Sequence, residues 1–470
     1  MSAGHDHRCP GGADRGSGRV GRGLRRRKGE VVVRRTFPRG GVHPPQRKRS
    51  TRSSPIEAMP PPERLRIPVH QHLGAPADPV AWPKSSVRIG QVIAECNSAV
   101  SAAVHASVSG KVKKVDYYPS AAAPRVLCID IANDGEEKWH DGANRTPVDV
   151  DCIPPEVARE VLATSGVVGM GGAAFPTHIK LNPPDDVSIH TVILNGCECE
   201  PYLTADDRLM VEHAPEIVKG MKILMSVLGV KRGYVGIESN KPGAIRAMRQ
   251  AALGLPRVKV VTLRTVYPQG AEKQLIRAIL GREVPPGKLP FHLGVVVHNV
   301  GTAFAAWEAV ACRKPLVERV LTVTGSAIQR PANLRVRVGT LVSDIVDYCG
   351  GSRGDFAKLV VGGPMMGRAC NRLDIPVTKA TSGLLFLDRS EAAMPAPVPC
   401  IRCASCVQVC PQGLMPCDLA SAVEHGQWER LVHITDCVEC GSCQFACPSY
   451  RPLVHLVRWG KAEARKRSEN

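Results

Sequence analysis

This sequence is poor in aromatic residues: Phe, Trp and Tyr make up only 4% of its 470 residues. Proteins that hold single-stranded nucleic acid stack bases on aromatic faces, so no specific nucleic-acid partner is expected. The sequence also lacks any apolar run approaching the roughly 18 residues of a membrane-spanning helix. No apolar h-region follows Met1, so the start does not read as a secretory signal, and the expected setting is a reducing cytosol. Cysteines gathered there are metal ligands rather than disulfides. Acidic charge is short as well: 62 Lys/Arg face 43 Asp/Glu, a net +19. Much of the excess lies in residues 1–66, which hold 17 basic and 5 acidic side chains. Arg25, Arg26, Arg27 and Lys28 sit there among glycines, with too few apolar neighbours to pack, and residues 1–35 are expected to be a disordered basic tail. Three roles are open for it: an extended translation start without function, attraction to anionic lipid head groups, or contact with nucleic acid.

Cysteine, by contrast, is plentiful, with 18 residues, and eight of them repeat one pattern. Cys400-x-x-Cys403-x-x-Cys406-x-x-x-Cys410-Pro411 recurs as Cys437-x-x-Cys440-x-x-Cys443-x-x-x-Cys447-Pro448. This is the ferredoxin run, in which three cysteines wrap one [4Fe–4S] cube and the fourth reaches across to the other. It assigns Cys400, Cys403, Cys406 and Cys447 to one cluster, and Cys410, Cys437, Cys440 and Cys443 to the second. A zinc site needs only paired Cys-x-x-Cys units, with no third cysteine at the same step. The chemistry implied is the movement of single electrons.

A chain of this length suggests three or four domains, and 43% hydrophobic with 22% charged residues is ordinary for a soluble globular protein. Residues 65–131 alternate short β-branched runs with turn signals, the mark of a small β-domain. The segment 140–155, with Pro147, Pro154 and Pro155, reads as a linker. Between 156 and 315, strand-like runs (191–194, 294–297) alternate with helical periodicity (214–228, 271–280, 303–312), which predicts an α/β layer with a largely parallel sheet. The β pattern returns over 317–387. Residues 398–456 should be mostly helical between cysteine loops, with a charged, frayed tail after Trp459.

Two loops in the α/β region carry ligand chemistry. Gly166-Val-Val-Gly169-Met-Gly171-Gly172-Ala-Ala-Phe175-Pro176 lets backbone amides approach a phosphate, and Lys180 adds positive charge. Gly169-x-Gly171-x-x-Ala174 fits the relaxed dinucleotide fingerprint. That fingerprint should open a helix, however, and Pro176 interrupts one two residues later; the residues before it look helical, not extended. A phosphate-cradling loop of another kind is therefore expected. Asn195-Gly196-Cys197-Glu198-Cys199-Glu200 then follows a predicted strand, where α/β proteins place ligand-contacting groups. It is either a flavin- or nucleotide-contacting loop or a plain polar strand end.

Taken together, these motifs resemble the RnfC family, the C component of the Rnf (Rsx) ion-translocating electron-transport complex. The likeness runs from Phe37 to about Lys461. It includes Gly40-Gly41-Val42-His43-Pro44-Pro45, Gln71-His72-Leu73-Gly74-Ala75-Pro76, His105-Ala106-Ser107-Val108-Ser109-Gly110, Tyr267-Pro268-Gln269-Gly270-Ala271-Glu272, Val361-Gly362-Gly363-Pro364-Met365-Met366-Gly367 and the doubled cysteine run. The resemblance implies a multidomain α/β plus β chain. Residues 36–140 would be a lipoyl-like (barrel-sandwich) β-domain, 141–316 an α/β FMN/NADH-binding domain, 317–390 a β-grasp (SLBB) domain, and 391–470 a helical dicluster ferredoxin-type domain with the charged tail.

The central part is also similar to the flavin-carrying subunit of respiratory complex I. That likeness implies cofactor roles for Gly169, Gly171, Gly172, Phe175 and Lys180 in the FMN-phosphate and nicotinamide loop. It implies others for Asn195, Glu198 and Glu200 in the acidic loop, for Gly270 and Glu272 in a Gly-Glu-Glu segment, and for Asn299 and Thr302 beside the flavin phosphate. The chain departs from the pattern at Cys197 (Asp), Ala271 (Glu) and Ala174 (Gly). Cys197, Cys199 and Cys417 read as ordinary thiols and His43, His70, His72 and His105 as loop hydrogen-bonding groups. The family implies an NADH–FMN–two [4Fe–4S] conduit without a catalytic acid or base, docked peripherally on the cytoplasmic side of the inner membrane. It would exchange electrons with membrane-embedded Rnf subunits and ferredoxin. A soluble cobalamin-reductase-like enzyme and a flavin-free iron–sulfur scaffold are the alternatives.

Overall fold

A computed structural model describes residues 35–469 apart from Asp355, together with a short backbone ladder pairing Arg26–Arg27 with Glu30–Val31. The expected disordered tail over 1–35 falls almost wholly outside the described residues. None of the described cysteines is in a disulfide, and no helix among the described residues is long and apolar enough to cross a membrane.

Two small sheets enclose the first core. Arg64–Pro68, Val126–Asn133, Gly110–Tyr118 and Ser86–Val87 form one in that order, and Asp78–Pro79, Val92–Glu95 and Val104–His105 the other. Alternation sends Leu65, Ile67, Val112, Ile129 and Ile131 inward against Ile93, Val104 and Val108. The basic segment that precedes this sandwich does not belong to it. Arg35 bridges to Leu263 and Val42 to Tyr267, and Ile56–Ala58 adds a parallel edge strand to a later sheet.

The central sheet is wholly parallel, in the order Val258–Leu263, Gly233–Glu238, Thr191–Asn195, Val295–Asn299. Both faces are covered, which explains its near-continuous apolar runs. Val192 and Leu194 face Pro155–Thr164, Ala214–Val227 and Val300–Cys312, while Ile193 faces Glu272–Leu280 on the other side. The helices Ala214–Val227 and Val300–Cys312 touch backbone to backbone at Gly220, where a Cβ would lie 1.8 Å from the Ala303 oxygen. The helix Pro155–Thr164 precedes the glycine loop, as its sequence suggests, and a single turn, Thr177–Lys180, follows Pro176.

A third, mixed sheet runs Arg368–Cys370, Lys358–Val361, Gly383–Leu387, Glu318–Thr324, Ala332–Arg337, Ile56–Ala58, around a core with Leu321, Leu334, Ile345 and Phe386. The C-terminal region has the short helices Ser405–Gln408, Pro416–Glu424 and Ser442–Phe445. The expected fraying after Trp459 is not seen. Leu453–Glu469 is one continuous helix, because its apolar stripe (Leu453, Leu456, Val457, Ala464) packs on Pro416–Glu424. Trp459 also sets its ring edge-on to Trp428, with centroids 6.0 Å apart.

Candidate functional site

In an open parallel sheet, the crevice forms where the strand order reverses, outside the carboxyl ends of the strands. Here the chain moves outward from Thr191–Asn195 through Gly233–Glu238 to Val258–Leu263, then returns to Val295–Asn299 on the other side. The switch point is flanked by the last residues of two neighbouring strands, Asn195 and Asn299, which are register partners. Asn299 also caps the helix Val300–Cys312, its Oδ1 accepting from the Gly301 amide at 2.7 Å while its Nδ2 donates to Asp206 at 2.6 Å.

The glycine loop lies over that helix N-terminus. A Val168–Pro176 bridge and the Gly169 amide to the Phe175 carbonyl (2.9 Å) close its neck. The Met170 amide donates to Thr302 Oγ1 at 2.9 Å. Gly171 stands so close to Asn299 that a Cβ would lie 2.9 Å from its side chain. Gly172 has nothing within 4 Å of a Cβ, and Gly171, Gly172 and Ala173 are exposed. Free backbone amides thus stand above a helix N-terminus with open space beside them, which fits a phosphate. Lys180 Nζ donates to the Val297 carbonyl and to Glu272 Oε1, both at 3.0 Å. Asn195 Nδ2 donates to the Gly270 carbonyl at 2.8 Å. Gly169, Gly171, Gly172, Phe175, Lys180, Asn195, Gly270, Glu272, Asn299 and Thr302 therefore converge on one sheet end.

The two glutamates of the acidic loop are placed differently. Glu198, at φ +43°, turns its carboxylate onto the amides of Asp206 (2.8 Å) and Asp207 (3.3 Å), at the start of the helix Ala205–Glu212. Glu200 accepts from the Met365 and Met366 amides at 3.0 and 2.9 Å, so it ties the loop to the third sheet. Burial pushes the Glu200 carboxyl up to about 7, against the pull of those two amides. Burial and then the neighbouring Glu198 push Asp206 up to about 6. Cys197 is buried and Cys199 partly so, and desolvation raises both thiols, Cys199 to about 12; neither is poised as a thiolate.

Cations hold this loop that sequence reasoning missed. Lys48 Nζ donates to the Glu198 and Glu200 carbonyls, each at 2.9 Å, and to that of Leu203. Lys241, 1% exposed, donates to the Cys197 carbonyl at 2.5 Å and stands 3.5 Å from Glu238 Oε2. Arg319 reaches from the third sheet to the Met170 carbonyl at 2.8 Å, fixing the glycine loop from behind. In sequence, Lys48 is one member of the basic excess near the N-terminus. Nothing local distinguishes Lys241 or Arg319 from surface cations, since only the fold buries them. His70 and His72 make the loop hydrogen bonds expected of them, to the Gly74 carbonyl and from the Ala102 amide.

The two cysteine runs fold into the same loop twice. Arg402 and Glu439 have positive φ, as do Ala404 and Gly441, and a helical turn follows each time. Backbone amides of Arg402, Leu414 and Glu439 point at the sulfurs of Cys400, Cys410 and Cys437 at 3.3–3.4 Å; such N–H···S contacts are among the features that tune a cluster. Cys410, Cys437, Cys440 and Cys443 line one cavity, although Cys410 belongs to the other run in sequence. Cys447 in turn lies near Cys406, as does Cys417, which belongs to neither run. The first grouping gives the four thiolates that one cube takes, one per iron corner; of the second set, Cys406 and Cys447 are brought together across the two runs.

Residues 36–136 match the RnfC barrel sandwich hybrid domain, 162–308 the Nuo51 FMN-binding domain, 320–369 the SLBB domain and 399–450 the 4Fe-4S dicluster domain. The chain is 44% identical to the C component of the proton-translocating ferredoxin:NAD+ oxidoreductase complex of Clostridium ljungdahlii, over 92% of this chain and 94% of that one. It is 43% identical to the C component of the Na+-translocating ferredoxin:NAD+ oxidoreductase complex of Acetobacterium woodii, over 92% and 98%. Against the C component of the ion-translocating oxidoreductase complex of Rhodobacter capsulatus the identity is 45%, over 83% and 76%. Among solved structures, an NAD+-reducing [NiFe]-hydrogenase in the air-oxidized state aligns at a TM-score of 0.48 and 17% identity, covering 66% of this chain and 64% of that one.

Proposed function

We infer the function of this chain from its family: it belongs to the RnfC family, the C component of the ion-translocating, Rnf-type ferredoxin:NAD+ oxidoreductase complexes. It is an electron-transfer subunit of an oxidoreductase and translocase, with an FMN-binding domain and a 4Fe–4S dicluster domain. The observation that carries the reading onto particular residues is the convergence of the glycine loop, Asn195, Gly270, Glu272 and Asn299 on one sheet end.

The exposed amides of Gly171, Gly172 and Ala173, with the N-terminus of Val300–Cys312, would hold the flavin phosphate. Asn195 and the Gly270–Glu272 turn would orient the ring, with Lys180 and Phe175 at its edge toward the nicotinamide. Glu198 and Glu200 would act from behind by shaping the loop, since both carboxylates are engaged with backbone amides. Bound FMN supplies the conversion between a hydride's two electrons and the single electrons that iron–sulfur clusters accept. Cys400, Cys403, Cys406 and Cys447 would hold one cube, and Cys410, Cys437, Cys440 and Cys443 the other. No side chain has to act as acid or base; the protein contributes position, dryness and charge.

Ferredoxin and membrane-embedded subunits of the complex are the proposed onward partners, and the cytoplasmic face of the membrane the proposed location. The test is anaerobic purification followed by FMN and iron analysis, then addition of NADH. Bound FMN, two clusters' worth of iron and bleaching of the flavin by NADH are expected. Clusters without FMN would reduce the chain to a relay, and zinc in place of iron would overturn the reading.

A further inference from the structure

The hydrogen bonds between the flavin side of the molecule and the cysteine region converge on one of the two cysteine sets. The Tyr267 hydroxyl donates to the Cys440 carbonyl at 2.7 Å. Gln274, on the helix that begins at Glu272, donates to the Pro411 carbonyl at 3.3 Å. The Gly41 amide donates to the Val409 carbonyl at 2.9 Å, and the Gly287 amide to Asp436 Oδ1 at 2.9 Å. Each acceptor is Cys440 itself or a direct neighbour of Cys410 or Cys437, so all four contacts seat the loops around one cavity. Cys400 and Cys403, of the other set, are exposed.

Behind the Tyr267 hydrogen bond lies an apolar contact. Val42, Tyr267 and Cys440 are 6%, 2% and 8% exposed and form one apolar cluster with Cys199, Met365, Val409 and Val438. Its flavin-side end is the acidic loop itself: a Cβ placed on Gly270 would meet Cys199 Sγ at 3.3 Å and Cys197 Cβ at 3.2 Å. Gly270 in turn accepts from Asn195. A path of packed contacts therefore runs Asn195, Gly270, Cys199, Tyr267, Cys440, with a cavity opening on one side of it at Cys199 and Tyr267.

We propose that Tyr267 is a positioning residue that pins the Cys440 loop against the flavin-side turn, and that the Cys199–Tyr267–Cys440 contact makes the cluster of Cys410, Cys437, Cys440 and Cys443 the first to receive electrons. This rests on the flavin and cluster assignments above. Each crossing removes one electron from the reduced flavin and adds one to the cluster, and no covalent bond in the bridge forms or breaks. The exposed Cys400–Cys403 loop is then the side that faces the next carrier.

The full chain is prepared anaerobically as wild type, Tyr267→Phe, Cys443→Ala and Cys403→Ala; the two cysteine variants identify which paramagnetic signal belongs to which cluster. Failure of the underlying reading would appear in the wild type, as missing flavin or iron. In Tyr267→Phe, FMN content and flavin bleaching by NADH should stay as in wild type. The signal lost in Cys443→Ala should move to lower midpoint potential and appear severalfold more slowly after NADH. Deuterium exchange over residues 437–446 should rise, a readout independent of electron flow. Wild-type exchange and signals in this variant, or movement of the signal lost in Cys403→Ala instead, would overturn the proposal. Should Tyr267→Phe fail to retain iron, the cysteine variants decide alone. The proposal requires that NADH reduce the remaining cluster in Cys403→Ala but not in Cys443→Ala, where dithionite still can; the reverse pattern refutes it.

Discussion

Replacing Lys241 by Met should loosen the acidic loop of the flavin site more than any surface change nearby. Lys241 and Glu238 are each 1% exposed, and they face one another across 3.5 Å. Burial alone would drive the lysine toward its neutral form, yet Glu238, Glu198 and Asp207 hold it above the ordinary lysine value. Removing one partner of a buried pair leaves the other charge unpaired, at about 3–5 kcal/mol. Glu238 can relieve part of this by taking a proton, because burial already raises its carboxyl, so about 3 kcal/mol is expected, roughly a hundredfold in local opening. The sign with pH follows. In the variant the folded state holds a proton on Glu238 that the unfolded state sheds above its ordinary value, so stability falls as pH rises through that window. The defect should therefore grow from acid to alkaline pH. The assay is deuterium exchange over Cys197–Cys199 and Glu238–Lys241, corrected for intrinsic rate. Lys241→Met with Glu238→Gln should recover part of the loss, since it removes the unpaired Glu238 charge while the Cys197 carbonyl still lacks its donor. Wild-type exchange in the single variant at pH 8, or a double variant as open as the single, would refute the reasoning.

Other substitutions probe the cradle, the clusters and the domain contacts. Gly172→Ala should leave stability unchanged but weaken FMN binding in a titration followed by flavin fluorescence, because its Cβ meets no protein atom; Gly171→Ala should disturb both, by its collision with Asn299. Asn299→Ala removes the cap on Gly301 and should cost about 1 kcal/mol in denaturant unfolding while lowering flavin affinity. Cys443→Ala should lower iron content by about half with FMN retained, measured by metal analysis and absorbance. Lys379 is fully buried, donating to the Ala103 and Gly166 carbonyls, and burial lowers its ammonium to about 7. The unfolded chain then binds more protons between that value and the ordinary lysine pKa, so this group makes stability rise with pH above about 7. Lys379→Met should flatten that rise in thermal melts from pH 7 to 9, and an unchanged slope would count against it.

The sequence by itself determined what depends on local spacing. Cysteines at steps of three, ending in Cys-Pro, announce two clusters, and the crossed sharing of Cys410 follows from the loop geometry the run imposes. Glycines at 169, 171 and 172 require a backbone that approaches something closely. Alternation of apolar runs at periods of 2 and 3.6 marks the parallel layer, although the strands Gly233–Glu238 and Val258–Leu263 do not stand out from their surroundings. What only the tertiary structure decided are the partnerships between residues far apart in the chain. Lys48 reads as one more charge in a basic stretch until the fold lays that stretch over the acidic loop, where burial forces its ammonium onto three carbonyls. The tail after Trp459 reads as polar, and it stays helical because the helix it continues is seated on Pro416–Glu424 through Leu453, Leu456 and Val457, with Ala464 beyond, and on Trp428 through Trp459. Tyr267 sits in a flavin-side motif, and no local pattern ties it to Cys440, 173 residues on. Spacing names the ligands because three of each cluster's four are neighbours in sequence; burial and contact join the two halves of the conduit, and these depend on the whole chain.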